Sequence, residues 1–140
     1  MARKEQRLEA TLARAKIEIL AGGHFLTPDC LTLRHDGELD QFTMSLKQAE
    51  ANRRIFSVEH QGQPLYPDYA FSENQGWNLL PGLALVITTL QPTLDGWGMA
   101  FWFRSPNSFL GGKRPEDHLH QELEKVLAAA REEIAKTMPG

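Results

Sequence analysis

The chain of 140 residues has a single cysteine, Cys30. A lone thiol excludes an internal disulfide framework and a cysteine-rich zinc site. No apolar run approaches the roughly 18 to 20 residues that a membrane span requires. No hydrophobic stretch follows the charged N-terminus, so a secretory leader is not expected. A cytoplasmic protein with no membrane partner is the expectation. Positive charge is also scarce. The net charge is −3; residues 1–71 carry 9 Lys/Arg against 10 Asp/Glu, and the remainder 6 against 8. Contact with nucleic acid would therefore have to come from a local patch. Internal repeats and low-complexity segments are absent.

What is present suits a packed core. Hydrophobic residues make up 41% and charged residues 24%, near globular averages. The spacing predicts a first helix over residues 3–20, with Leu8, Leu12, Ala15 and Ile19 forming an apolar stripe, ended by Gly22 and Gly23. Packing is the plain role of that stripe, and dimerisation is the sharper one. Thr27-Pro28-Asp29 opens a short helix running to Arg34, since Thr caps, Pro fits the first turn and Asp suits the helix dipole. Ser45 and Gln48 stand at capping-box spacing, placing a third helix over 46–54. Phe56 to His60 alternates, Gly62 turns, and Leu65-Tyr66 returns, a hairpin whose prolines point to an edge strand. Residues 72–78 read as a connector and 79–91 as a buried helix, with strand as the competing assignment. Trp97–Phe103 and 115–136 complete the helices.

The fold class is therefore mainly α with a small β-hairpin. Residues 1–71 resemble a winged helix-turn-helix unit, and residues 72–140 form a helical bundle. The two share a core. In the first unit, Ser45, Gln48 and Asn52 recur at spacings that share one helix face. Lys47, Arg53 and Arg54 flank it, and Gln61 and Gln63 lie at the wing. Gln and Asn match adenine edges and Arg or Lys match guanine or phosphate, so double-stranded DNA is a candidate partner. An ordinary solvated polar face explains the same pattern. Homodimerisation follows from the paired half-sites such readers use.

Other chemistry lacks support. His118 and His120 are two apart on a helix and face different ways, so they do not chelate together. Asp36, Glu38 and Asp40 alternate without a base or nucleophile beside them. Gly111-Gly112-Lys113-Arg114 lacks phosphate-loop spacing. Neither an enzyme nor a cofactor is expected.

The chain's organising stretch is Trp102-x-x-x-Pro106-Asn107-x-x-Leu110-Gly111-Gly112-x-Arg114-Pro115-x-x-x-Leu119. It resembles the Xre/MbcA/ParS-type toxin-binding domain of small bacterial antitoxins, with a looser likeness from Leu79 to Ile134. Tyr66 to Phe71 is similar to a "YPxxQF" segment joining such domains to a winged unit, with Ala70 at the glutamine position. Glu116 and His118 stand where the family has apolar residues, and the family's Gly-containing aromatic tail is missing. The resemblance implies a RES-type toxin as partner, an NAD-destroying enzyme whose active site the antitoxin covers. It implies a partner surface of Trp102, Arg104, Asn107, Leu110, Gly111, Gly112, Lys113, Arg114 and Pro115. Autoregulation of its own operon would follow. A stand-alone transcription regulator or adaptor is the alternative, and an interaction module that binds no DNA is the third.

Overall fold

A computed structural model describes residues 2–35, 38–72 and 78–137. Residues 36–37, with Asp36 of the alternating acids, most of the expected connector and residues 138–140 lie outside the described residues. The fold is mainly helical with small antiparallel sheets.

α1 (Ala2–Ala21) ends as its glycines predict: the Gly22 N–H donates to the Glu18 and Ile19 carbonyls, and Gly23 takes φ 79°. Its apolar stripe packs far less than expected. Ile19 is buried and Leu20 half-buried, but every residue from 3 to 14 is exposed. Its buried and half-buried residues lie in the last turns, where the Lys16 ammonium lies 5.1 Å from the Trp97 ring centroid.

β1 (Phe25–Leu26), too short to show alternation, leads into α2 (Pro28–His35). Thr27 caps α2, its Oγ1 accepting from the Cys30 N–H at 3.2 Å. α3 (Leu39–Ala51) starts six residues before Ser45. Phe42, Leu46 and Ala49 face the core at helical spacing, and that stripe sets the start. Glu38, the N-cap, makes no side-chain cap bond, so the start carries no capping signal. Ser45 is mid-helix.

β2 (Val58–His60) and β3 (Gln63–Pro67) form the hairpin, and β1 adds to the other side of β3, giving the order β1-β3-β2. The proline-bearing strand is thus central, not at the edge. Two placements reconcile this. Pro64 faces Glu59, one step from the closing pair His60↔Gln63, where paired residues exchange no hydrogen bonds. Pro67 lies at the strand end, opposite Phe25.

A 3-10 turn (Asp68–Ala70) leads to β4 (Phe71–Ser72), which pairs with β5 (Asn78–Leu79). Asn78 and Leu79 are thus strand. The buried helix, α4, begins at Leu83, after Pro81-Gly82, and ends at Leu90. α5 (Gly96–Arg104) is capped by Asp95, whose Oδ1 accepts from the Gly98 N–H at 2.7 Å. A 3-10 turn (Ser108–Leu110) precedes α6 (Pro115–His118) and α7 (Leu123–Thr137). The helix expected over 115–136 is therefore two. The break lets Glu116 of α6 and Leu119, just after it, be buried beside α5 while α7 lies along α4.

One hydrophobic cluster runs from Ile19 to Ala130 through both halves. Phe56 stacks on Phe103 at 5.7 Å, and Tyr69 lies 5.3 Å from the same ring. The Trp97 indole donates to the Glu59 carbonyl at 3.2 Å. At Gly96 a Cβ would fall 2.0 Å from the Ser57 carbonyl oxygen, so only glycine lets α5 come this close to the entry of β2. Among the described residues no helix is long and apolar enough to cross a membrane.

Candidate partner-binding surface

The loop between α5 and α6 is pinned by its own backbone. The Asn107 N–H donates to the Lys113 carbonyl at 2.9 Å, and the Gly112 N–H returns to the Asn107 carbonyl at 2.8 Å. The Asn107 side chain accepts from the Phe109 N–H at 2.9 Å, a local turn of the kind asparagine favours. Gly111 and Gly112 take φ of 69° and 85°, left-handed values that glycine adopts without strain. Pro115 sits at the start of α6, with exposed Arg114 as N-cap.

The closed loop holds Phe109 outward, 52% exposed. Its ring stands between two clefts. One, of about 340 Å³, is lined by Trp102, Ser105, Asn107, Glu132 and Lys136. The other, of about 330 Å³, is lined by Leu110, Lys113, His118, Glu122 and Lys125. Glu122 is hydrogen-bonded by Lys125 and by His118, which hold its carboxyl below the usual carboxylate range. Trp102 itself is buried, and its indole N–H has no acceptor.

Among the residues expected to meet a partner, Asn107, Gly111, Gly112, Lys113 and Arg114 come together on this loop. Leu110 is half-buried against the core, and Trp102 and Pro115 are buried. Arg104 points inward: its Nη1 donates to Glu116 Oε1 at 2.9 Å, and the Glu116 side chain is almost wholly buried. This pairing explains why an acid occupies the position the resemblance leaves to an apolar residue. Tyr69 lies in the same neighbourhood. Burial above all, then the Glu116 and Asp68 charges, raises its hydroxyl well above the ordinary tyrosine value. That hydroxyl has no hydrogen-bond partner.

The residues expected to face DNA divide. Lys47 and Gln63 line one cleft, beside Asp29 and Asp40. Ser45 and Arg54 line another, with Phe42 and Phe71. Gln48 is exposed on α3, and Asn52 is its C-cap. Arg53 and Arg54 close α3 with paired bonds, Arg53 N–H to the Glu50 carbonyl at 3.0 Å and Arg54 N–H to the Ala49 carbonyl at 2.8 Å. Arg53 takes φ 61° there, and Gln61 takes φ 53° at the hairpin tip.

Phe109 is not among the residues the resemblance implies for the partner surface; its outward position emerges only from the folded loop. Glu116 was equally hidden, since only the fold places it under Arg104. Among the described residues no cluster of three or more His, Cys, Asp or Glu is placed to hold a metal. No protein-family model, curated protein or solved structure matches the chain.

Proposed function

We propose that this chain is an antitoxin-like interaction protein that captures a protein partner through the 105–114 loop. The observation that carries this is Phe109, an exposed ring on a loop already closed by its own hydrogen bonds. An aromatic anchor between clefts is the usual centre of an interface, and a loop ordered beforehand loses little entropy on binding. Lys113 and Arg114 beside it suit an acidic partner surface. The resemblance of the Trp102–Leu119 stretch makes a RES-type toxin the partner to test. The assay is the toxin's NAD loss with and without the chain. The wild type suppresses it and Phe109→Ala does not, while its melting temperature is unchanged. Equal suppression by both proteins refutes this role for the loop.

Double-stranded DNA is the second reading, and the observation favouring it is topology. The order α1-β1-α2-α3-β2-β3, with β3 between β1 and β2, is compatible with a winged-helix-like unit. Arg53 and Gln61 keep long polar side chains where glycine would be less strained, at the end of α3 and the tip of the hairpin. Autoregulation would rest on this surface. Replacing Arg53 and Arg54 with Ala should weaken binding to the upstream DNA and flatten its salt dependence. If the wild type shifts its own upstream fragment no better than random DNA, this reading fails.

A further inference from the structure

The outer part of α1 and the cleft at the start of α3 are each incomplete. Residues 3–14 of α1 are all exposed, and they carry Leu8 and Leu12 one turn apart, 66% and 46% exposed. About a dozen exposed helical residues gain little from packing, and a helix of that length is marginal in water on its own. Arg3, Lys4, Arg7 and Arg14 outnumber Glu5 and Glu9 on this segment, making it basic. The cleft has the opposite character. It measures about 670 Å³ and is lined by Leu39, Met44 and Pro64, with Asp29 and Asp40 beside Lys47. Met44 is 64% exposed. An acid also stands immediately before this helix, at Glu38. Acids where a helix would meet phosphates repel DNA, but they suit a basic amphipathic helix.

We infer that the chain forms a two-fold dimer in which α1 of each copy lies in the α3 cleft of the other. Charge complementarity selects the occupant: Leu8 and Leu12 meet Leu39 and Met44, and Lys4 and the arginines meet Asp29 and Asp40. A two-fold axis makes the contact twice, as an isologous interface does. Pairing α1 with α1 would bury only two leucines from each copy and leave Met44 in water. The docked helix covers Lys47 and Gln63, leaving Gln48, Asn52, Arg53 and Arg54 for DNA. The inference does not depend on the partner proposed for the 105–114 loop.

The test uses full-length chain. Light scattering at micromolar concentration should give twice the 15.8 kDa mass. Leu8→Glu with Leu12→Glu, and separately Met44→Glu, should each raise the dimer dissociation constant about 100-fold. All three residues are exposed, so the fold should persist by circular dichroism. A mixture of ¹⁵N-labelled and unlabelled wild type, coupled with a carbodiimide, locates the contact. Isotopically mixed peptides joining Lys4 to Asp29, Glu38 or Asp40 support the inference. A monomeric mass overturns it, as does a dimer whose mixed links join α1 only to α1 or that survives Met44→Glu.

Discussion

Two parts of this molecule turn the chain through left-handed backbone, and they do so with different residues. The 105–114 loop uses Gly111 and Gly112; the end of α3 and the hairpin tip use Arg53 and Gln61. A residue with a Cβ in that conformation is destabilised by about 1 kcal/mol relative to glycine. The C-terminal loop is thus built for shape, with its chemistry on neighbours such as Phe109, Lys113 and Arg114. The N-terminal turns instead retain long polar side chains at strained positions.

The sharpest break in the comparison concerns Arg104, which lies beside the loop but faces inward. Arg104→Ala leaves the Glu116 carboxylate buried without its partner. It should destabilise the fold by about 3 kcal/mol in a urea titration. If the midpoint does not move, Arg104 is not structural and returns to the partner surface.

Next come the turns themselves, where exchanges should have opposite signs. Gly111→Ala and Gly112→Ala should each destabilise by about 1 kcal/mol, although at either position a Cβ meets nothing within 4 Å, because the strain is in φ. Arg53→Gly should stabilise by up to about 1 kcal/mol, and the DNA reading requires that it also weaken binding to the upstream fragment. A loss of stability in Arg53→Gly would show that the arginine side chain holds the fold.

The smallest effect is at Tyr69, where the halves meet. Its buried hydroxyl has no partner among the described residues, so Tyr69→Phe should be neutral or stabilising by about 1 kcal/mol. Its raised pKa means the fold favours the neutral phenol. That contribution is fully present below about pH 10, the ordinary tyrosine value, and is lost as pH rises through the folded value. Tyr69→Phe should therefore soften the alkaline decline in melting temperature. Some decline should remain, because burial, then Glu50, pushes Tyr66 up to about 12.

Local chemistry made much of the fold legible. Gly22-Gly23, Thr27-Pro28 and Gly62 mark their turns because single residues there satisfy a backbone requirement. The gap between α6 and α7 was not legible, since Leu119, Leu123 and Val126 keep helical spacing across it. The start of α3 lacked a capping side chain, so the Ser45–Gln48 spacing misplaced it. Of the candidate surface, Asn107, the two glycines and Pro115 could be read from residue type. The inward turn of Arg104 and the outward turn of Phe109 could not, because both depend on contacts formed only when α6 and α7 pack.

The claim that the 105–114 loop docks a partner has one direct measurement: calorimetric titration of a purified RES-type toxin with wild type and Phe109→Ala. The account predicts a loss of at least about tenfold in affinity for Phe109→Ala, as expected for an interface anchor, with an unchanged melting temperature. Equal affinity for the two proteins, or no binding by the wild type, would contradict it.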